Sequence, residues 1–479
     1  MKKVLVSLLA VLLIASLGVV GQAADVPLTA DVIVVGGGGA GLAAAVEAAQ
    51  HGASVILLEK LAMLGGNTIR SGGAYNAVDP ERQGPQGIED SIEWHYYQTL
   101  KGGDYKGDPG LVAILVERAL EGIHWLESLG IEFRPNVFTV VGSLWTRAHL
   151  MKEVAGTGYI MGLEKVALEN GVTILKNTSA TNLLTKGRRV IGVEAVDRNG
   201  NVLEFRANKG VVLASGGFSA NVELRMQYND KLDEKIGTTN SPGATGDGII
   251  MARDVGAALV GMEYIQLLPL GTPGDGALHN WVEAGADEMI FVNKYGKRFV
   301  REDARRDDLT NALFEQPDSL MYVVVDSKCH TLAQGQNNWG QTADELVEQG
   351  YAFQADTIEE LAKQIGVPAD ALVETVNNYN SYYDTGVDKE FGKELMKARI
   401  DTPPFYASPR VPTVHHTMGG IMINAEAQVI GIDGEVIPGL YAAGEVTGGI
   451  HGTNRLGGNA IADIIVFGRI AGANAAQGK

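Results

Sequence analysis

Residues 30–60, ADVIVVGGGGAGLAAAVEAAQHGASVILLEK, decide the fold of this chain. The apolar run at 32–35 predicts a buried strand, the alanine-rich stretch ending near Gln50 predicts a helix, and residues 54–58 predict a second strand. A glycine-rich turn separates the first strand from the helix. This order predicts a βαβ unit, in which a crossover helix joins two parallel strands.

The glycines of the turn have the spacing of a dinucleotide-binding site. Gly36, Gly38 and Gly41 form a G-x-G-x-x-G pattern, which gives a tight turn, room for a pyrophosphate at the helix N-terminus and close helix packing. Glu59 ends the second strand 18 residues after Gly41, where an acidic side chain holds ribose hydroxyls. The alternative is a glycine turn that binds nothing, but the strands, the helix and the acid all favour a dinucleotide.

The rest of the chain predicts one α/β domain interrupted by another. The strand-like stretches GVTILKN, RVIGVEAV and NVLEFRANKGVVLASGGF alternate with turn signals. The middle of the chain has charged helical patterns such as TADELVEQG, and glycine-rich strand and helix patterns return in VIPGLYAAGEVTGG and GTNRLGGNAIADIIVFGRIAGANAA. We therefore expect a Rossmann-like cofactor domain at 24–262 and 416–479, split by an inserted α+β domain at 263–415.

The first residues have the pattern of a secretory signal peptide. Lys2 and Lys3 precede an apolar stretch at 4–20, and residues 21–23 offer cleavage positions. We expect a signal peptide at 1–23, a mature protein that begins near Ala24, and a periplasmic location. The alternative is an uncleaved membrane anchor, although the apolar stretch is shorter than the ~20 residues of a comfortable span.

The totals exclude several classes of function. The 479 residues are enough for two lobes, because single cores stop growing near ~250–300 residues. With 39 Lys and Arg against 57 Asp and Glu, the net charge of −18 would repel nucleic acid phosphates. Because Cys329 is the one cysteine, this sequence has no intramolecular disulfide, no cysteine-based zinc site and no Cys-x-x-Cys-His haem attachment. Electrons would therefore reach an organic cofactor from another molecule.

Several motifs together resemble the flavoprotein family of soluble fumarate reductases and urocanate reductases. The resemblance covers essentially the whole chain after the signal peptide, and it implies FAD as the cofactor, an FAD-binding domain and a capping domain that clamps the substrate. The motifs that carry it are GGGGAGLAAA, GGN at 65–67, RAH at 147–149, NSPGATGDG at 240–248, GKRFVRE at 296–302, VHHTMGG at 414–420, GLYAAGEVTGG and HGTNRLGGNA.

The resemblance implies a set of FAD-binding residues. The pyrophosphate and the adenosine ribose would lie at the first βαβ unit, and the flavin would lie near the later motifs. Membrane-bound relatives attach FAD covalently to a histidine in the segment matching NTIRSGG, which has none here, so we expect non-covalent FAD. The implied residues are Gly36, Gly38, Ala40, Gly41, Glu59, Asn67, Ser71, Gly72, Gly73, Asp247, His416, Glu445, Ala460 and Ile461.

The charged segment REDARRDD, residues 301–308, contains the implied catalytic residue. In the family, the arginine that matches Arg306 gives a proton to one carbon of the substrate double bond while flavin N5 delivers hydride to the other. An arginine normally stays protonated, but the acceptor carbon is strongly basic, and the guanidinium also stabilises developing negative charge. We expect Arg301 and Arg305 to be structural.

The resemblance also implies residues that bind the substrate carboxylate. Arg455 would clamp it, since a guanidinium fork matches a carboxylate, and His415 would be a second donor. Arg147 and His149 of the RAH motif stay open between a role near the site and structural support.

The far end of the site departs from the fumarate pattern. In YIQLLPL, residues 264–270, Leu268 stands where fumarate enzymes have a histidine for the second carboxylate. Glu283 matches the aspartate with which urocanate reductases hold imidazole, or belongs to the proton relay. Trp281 is either a wall of the site or ordinary core. We therefore expect an α,β-unsaturated monocarboxylate such as urocanate, an arylacrylate, methacrylate or acrylate.

Three alternatives to this expectation remain open at the level of sequence. The first is fumarate reduction to succinate by the same family chemistry. The second is an FAD-dependent dehydrogenase or oxidase that acts on a saturated substrate. The third is a protein that binds FAD without catalysis. If the chain reduces an unsaturated monocarboxylate, as we expect, its electron donor would be a separate periplasmic cytochrome or another redox partner. The reaction would serve anaerobic respiration.

Overall fold

The computed structural model describes residues 27–479, so the predicted signal peptide at 1–23 lies outside the described residues. The strands are β1 Thr29–Val35, β2 Val55–Leu58, β3 Tyr75–Asn76, β4 Phe133–Phe138, β5 Ala148–Met151, β6 Thr173–Leu175, β7 Ser179–Lys186, β8 Arg189–Val196, β9 Val202–Leu213, β10 Leu259–Val260, β11 Ile265–Gly271, β12 Ile290–Val292, β13 Met321–Val325, β14 Phe353–Ala355, β15 Phe405–Thr417, β16 Gly420–Ile421, β17 Gln428–Ile430 and β18 Val436–Ala442.

Thirteen α-helices lie between and after these strands in the described residues 27–479. They are α1 Gly39–Gln50, α2 Pro80–Gln83, α3 Ile92–Gly102, α4 Pro109–Ser128, α5 Thr157–Glu169, α6 Val222–Tyr228, α7 Asp247–Asp254, α8 Arg306–Phe314, α9 His330–Gln334, α10 Ala343–Glu348, α11 Ile358–Ile365, α12 Ala369–Thr385 and α13 Asn459–Gln477. The fold is α/β, with mixed sheets.

The main sheet contains the predicted βαβ unit. Its order is β17-β18-β9-β1-β2-β6, and all neighbours in it are parallel except β17, which is antiparallel to β18. The hairpin β7-β8 extends from β9. Strand β1 is buried over residues 32–35 because helices cover it, which explains its continuous apolar sequence.

Small residues let α1 and α13 approach each other closely below this sheet. A side chain added at Gly472 would place its Cβ 2.2 Å from the carbonyl oxygen of Ala44, and one at Gly468 would lie 2.8 Å from that of Ala40. Both alanines lie on α1, so the alanine-rich composition of this helix is a packing requirement as well as a helix signal. This close contact with α13 holds α1 in place, and the N-terminus of α1 faces the glycine turn.

A second sheet belongs to the middle of the chain. Its order is β11-β15-β13-β12, with β14 also paired to β15, and every pairing is antiparallel. Helices α11 and α12 cover an apolar cluster on this sheet. The proposed division at residue 415 falls within β15, which continues to Thr417 and brings the VHHT motif from the second sheet toward the first.

Two further observations concern membranes and metal ions. Within residues 27–479, no helix combines the length and apolar character that crossing a membrane requires. The same residues contain no cluster of three or more His, Cys, Asp or Glu side chains suited to a metal ion.

Candidate active site

One cavity of about 410 Å³ collects nearly all the residues that the sequence singles out. It lies between the carboxyl ends of the parallel strands and the second sheet, where ligands bind in open α/β folds. The predicted residues that line it are Gly36, Gly38, Ala40, Glu59, Asn67, Ser71, Gly72, Gly73, Asp247, Leu268, Trp281, Glu283, Arg306, His415, His416, Glu445, Arg455, Ala460 and Ile461.

The glycine turn forms a cradle whose backbone packs too closely for side chains at two positions. Gly36 has φ +108°, and a Cβ there would lie 2.4 Å from the carbonyl oxygen of Ala214. Gly41 does not line the cavity. A Cβ on Gly41 would lie 1.9 Å from the carbonyl oxygen of Gly36, so its role is to let α1 pack against the turn. The N-terminus of α1, capped by Gly38 without a side-chain hydrogen bond, therefore opens toward the cavity.

Glu59 is fixed at the rim of this cradle by two backbone donors. Its Oε2 accepts from the N–H of Gly37 at 2.8 Å, and its Oε1 accepts from the N–H of Leu61 at 2.8 Å. Each carboxylate oxygen keeps a second lone pair that points to no described partner. This arrangement fits a ribose held by its hydroxyls, as the sequence predicts.

The flavin end of the predicted cofactor site is built from long-range polar contacts. Asn67 donates to Glu445 Oε2 at 2.7 Å, and Glu445 Oε1 accepts from the N–H of Thr417 at 3.0 Å. Burial raises the pKa of Glu445. Asp247 pairs with Lys60 at 2.6 Å nearer the surface. These donors and acceptors, together with the glycine cradle, fit the FAD that the sequence predicts.

Arg306 and Arg455 face the cavity together without a carboxylate partner. Arg306 donates from Nε to the carbonyl oxygen of Val141 at 2.9 Å, and Arg455 donates from Nη1 to that of Leu456 at 3.0 Å. Burial and their mutual repulsion hold the pKa of Arg306 well below its usual range, and burial lowers the pKa of Arg455 to about 10. Among residues 27–479 neither guanidinium lies within ion-pair distance of a carboxylate, although the charges of Glu445 and Asp463 act on Arg455.

Gln266 connects the two arginines, and sequence analysis does not identify it. Its Oε1 accepts from Arg455 Nη2 at 3.0 Å and from Arg306 Nη1 at 3.4 Å. Its Nε2 donates to Asn454 at 2.8 Å and to the carbonyl oxygen of Arg455 at 2.7 Å, which fixes the orientation of the amide. The alternation of side chains along β11 could have identified Gln266, because it puts Gln266 and Leu268 on one face of the strand.

The other arginines of the charged segment form ion pairs and do not line the cavity. Arg301 pairs with Asp303 at 2.8 Å, and Arg305 pairs with Asp104 at 2.6 Å. Arg306 instead begins α8 with its side chain directed into the cavity, and a Cβ on Gly142 would lie 2.7 Å from its Cγ. Arg306 is thus separated from the surface charges of the other REDARRDD residues by the turn at which α8 begins.

His415 and His416 lie at the cavity on the last part of β15. His415 Nδ1 is 2.8 Å from the hydroxyl of Thr239. Burial and the two arginines hold the pKa of His415 well below its usual range, so its imidazole is neutral. His416 Nδ1 is 3.7 Å from Glu445 Oε1, and burial together with Arg455 also lowers the pKa of His416.

The far end of the cavity combines apolar side chains with charged ones, since Asp287, Glu288, His330 and Lys397 line the cavity as well as Glu283. Leu268 is 1% exposed and Trp281 is 2% exposed, and both belong to a buried apolar cluster that includes Leu270 and Val141. Glu283 accepts from Asn338 twice, from its N–H at 2.8 Å and from its side chain at 2.9 Å, and burial raises the pKa of Glu283. Asn338 and Trp339 also line the cavity, although sequence analysis does not identify them.

Arg147 and His149 do not line the cavity. Arg147 makes a buried two-pronged ion pair with Asp90 at 2.9 and 2.8 Å. His149 Nε2 is 3.1 Å from Asp79, and its Nδ1 faces backbone carbonyl oxygens. Of the two roles that the sequence leaves open, these contacts favour structural support of the three-stranded sheet β3-β5-β4.

Comparisons with known proteins agree with this geometry. The FAD binding domain family model matches residues 31–461. The NADH:acrylate oxidoreductase of Vibrio harveyi is 42% identical, over 94% of this chain and 50% of that protein, so the chain spans about half of that relative. The urocanate reductase of Eggerthella lenta is 41% identical, over 93% of this chain and 74% of that protein.

A solved structure extends the comparison to three dimensions. It is described as the open conformation of a flavocytochrome c3 fumarate reductase, and it is 36% identical to this chain with a TM-score of 0.75. The match covers 95% of this chain and 79% of that one.

Proposed function

The chain belongs to the fumarate reductase and urocanate reductase family of FAD-dependent oxidoreductases, and we propose that it reduces the carbon–carbon double bond of an α,β-unsaturated monocarboxylate. Its cofactor is FAD, and its chemistry acts on CH–CH groups. The observation that carries the proposal is the pair Arg306 and Arg455, two buried guanidinium groups at one cavity without an ion-pair partner.

The arginine pair supports a carboxylate as the near end of the substrate. A buried charge is costly unless an opposite charge pairs with it, and a carboxylate between the guanidinium groups would supply that charge. Arg455 offers a planar fork that holds both carboxylate oxygens, and His415 adds a neutral donor or acceptor beside it. Binding would raise the lowered pKa of both arginines toward the usual range.

The positions of the nitrogens support Arg306 as the proton donor. Hydride for the β carbon would come from reduced FAD held by Gly36, Asn67 and Glu445. Arg306 Nε is occupied by Val141 and Nη1 by Gln266, so Nη2 is the nitrogen without a hydrogen bond among residues 27–479. We assign the proton that reaches the α carbon to Nη2.

The far wall supports a monocarboxylate over fumarate. Leu268 offers no hydrogen-bond donor, and a buried carboxylate that lacks one donor loses about 1–3 kcal/mol. An aryl or alkyl end would instead gain about 25 cal/mol for each Å² of apolar surface that Leu268 and Trp281 cover. Glu283 keeps one lone pair on each oxygen beyond Asn338, which suits an imidazole N–H. It would equally suit a proton relay.

The proposal includes the setting of the enzyme. Because Cys329 is the one cysteine of the sequence, this chain has no haem attachment motif, and we propose a separate cytochrome or another redox protein as the electron donor. The pattern at 1–23 supports a periplasmic enzyme, and we propose that it serves anaerobic respiration. The NTIRSGG segment without histidine supports non-covalent FAD.

The direction of electron flow tests the proposal against a dehydrogenase or oxidase. The bound flavin is photoreduced without oxygen, and its visible absorbance is followed after addition of acrylate, cinnamate, urocanate or saturated propanoate. We expect the unsaturated acids to restore the oxidised spectrum and propanoate to leave the reduced one. If propanoate bleaches the oxidised flavin while no unsaturated acid restores the spectrum of the reduced flavin, the enzyme is a dehydrogenase. If no acid changes either spectrum, the protein binds FAD without this catalysis.

A further inference from the structure

We propose that Thr239 sets the tautomer of His415, so that His415 Nδ1 accepts a hydrogen bond from the threonine hydroxyl and Nε2 carries the proton that faces the substrate. Thr239 is then a positioning residue for carboxylate binding. The first half of this inference stands on hydrogen-bond geometry, and the second half rests on the proposed function.

The contact that carries the inference is short and joins a buried threonine to a half-buried histidine. Thr239 Oγ1 lies 2.8 Å from His415 Nδ1, and Thr239 is 5% exposed. The same hydroxyl accepts from the side-chain amide of Asn240 at 3.1 Å. These are its two partners among residues 27–479.

The orientation of the Asn240 amide is fixed by groups with unambiguous roles. Its nitrogen lies 2.7 Å from the carbonyl oxygen of His415, which can only accept. Its oxygen faces the side-chain nitrogen of Asn67, and Asn67 is fixed in turn because its own oxygen takes the backbone N–H of Ser241 at 2.8 Å. The Asn240 amide is therefore oriented by the carbonyl group of His415, and the Asn67 amide is oriented by the N–H of Ser241.

The direction of the hydrogen bond between threonine and histidine follows from this orientation. Since Asn240 donates to the Thr239 hydroxyl, the hydroxyl proton needs an acceptor, and His415 Nδ1 is the one in reach. The reverse arrangement, with Nδ1–H donating to Thr239, would leave the hydroxyl proton unpaired in a buried place, which is costly. A neutral imidazole that accepts at Nδ1 carries its proton on Nε2.

The backbone around Thr239 holds the hydroxyl in place. The N–H of Thr239 donates to the carbonyl oxygen of Val414 at 3.0 Å, so the threonine is registered against the residue next to His415. Arg70 Nε donates to the carbonyl oxygen of Thr239 at 3.1 Å. The imidazole and its partner are thus tied together by backbone as well as by side chains.

The test compares Thr239→Val, which removes the hydroxyl at constant shape, with Thr239→Ser, which keeps it. Nitrogen-15 NMR of histidine-labelled, FAD-loaded protein reads the tautomer directly. We expect the Nε2–H form of His415 in the wild type and in T239S, and loss of this single form in T239V. A wild-type spectrum with the proton on Nδ1, or a T239V spectrum identical to the wild type, would overturn the inference.

Kinetics and ligand binding test the second half. In T239V we expect a fall of about 10–100-fold in kcat/KM for an unsaturated monocarboxylate, mainly through KM, with recovery in T239S. Binding of propanoate, followed by the flavin spectrum, should weaken in parallel. Unchanged KM and propanoate affinity in a T239V protein with the altered tautomer would overturn the positioning role.

A buried hydroxyl elsewhere serves as the matched control. Thr375 on α12 donates to the carbonyl oxygen of Gly296 at 2.7 Å, far from the cavity. Thr375→Val should lower stability as T239V does, yet keep KM and the His415 spectrum. If the wild type reduces no unsaturated acid, the proposed function fails, while the NMR result on Thr239 still decides the tautomer.

Discussion

Arg306 and Arg455 share one hydrogen-bond acceptor, the Oε1 of Gln266, which lies 3.4 Å from the first guanidinium and 3.0 Å from the second. The proposed proton donor and the proposed carboxylate clamp are thereby held in one geometry although they lie 149 positions apart in the sequence. Substrate must fit both arginines at once, so the shared acceptor sets the distance between clamp and donor.

Replacing Gln266 with methionine should disturb this geometry without emptying the cofactor site. Gln266→Met keeps the length of the side chain but removes the shared acceptor, and hydrogen bonds to charged groups contribute about 1.5–3 kcal/mol. We expect FAD content to stay normal and kcat/KM to fall about 10–100-fold. Steady-state kinetics of purified, FAD-loaded protein measure this. Exposed Gln349 offers the control Gln349→Met, and equal losses in both variants would refute the special role of Gln266.

Removal of Arg306 should abolish turnover while FAD stays bound. Arg306→Ala deletes the proposed proton donor, and acid–base catalysis by a positioned group contributes about 10²–10⁴-fold. Arg301→Ala is the matched control, because Arg301 pairs with Asp303 and Glu394 outside the cavity. We expect Arg301→Ala to change turnover by less than about threefold, because its ion pair with Asp303 lies outside the cavity. Turnover by Arg306→Ala at the level of the control would disprove the assignment.

A histidine at position 268 should shift the enzyme toward fumarate. Leu268→His places a donor at the far wall, where the second carboxylate of fumarate would lie. We expect the ratio of kcat/KM for fumarate to that for acrylate to rise by about tenfold or more. Leu268→Met keeps the wall apolar and should leave the ratio near the wild-type value. A ratio that is the same in both variants would mean that fumarate does not reach this wall.

The stability contribution of Glu283 should depend on pH in a direction that its environment fixes. Burial raises the pKa of Glu283 above the ordinary value of 4.5, so the folded protein favours the neutral carboxyl. This stabilisation is complete below pH 4.5 and is lost as pH rises through the raised pKa. The wild type should therefore lose free energy of unfolding relative to Glu283→Gln as pH increases from 4.5. Denaturant unfolding of both proteins across this range measures the difference, and a constant difference would contradict the raised pKa.

Local patterns explain how much of the fold could be predicted. The unit expected from residues 30–60 is present as β1, α1 and β2, and RVIGVEAV forms β8, because strand and helix periods and the glycine turn are local signals. Helices α3 and α4 have no counterpart among the predictions, although Ser91 and Asp108 cap their N-termini and Pro109 occupies the first turn of α4.

The site was predictable where a motif carried it and not where a contact joins distant segments. The motifs lead to Arg306, Arg455 and His415, and these line one cavity. Thr239 and His415 are 176 residues apart and Gln266 and Arg455 are 189 apart, so no local spacing indicates either contact. Asn338 could not be predicted for the same reason, because its partner Glu283 lies 55 residues away on another segment.

The central claim is that this enzyme reduces an unsaturated monocarboxylate in preference to fumarate, and one measurement tests it most directly. Purified, FAD-loaded protein oxidises reduced methyl viologen without oxygen, and kcat/KM is compared for fumarate, urocanate, cinnamate, methacrylate and acrylate side by side. We predict that kcat/KM for one of the monocarboxylates clearly exceeds that for fumarate. The identity of that acid will show whether Glu283 binds an imidazole or the wall binds an apolar group. A higher kcat/KM for fumarate than for every monocarboxylate would contradict the account of Leu268 and the far wall.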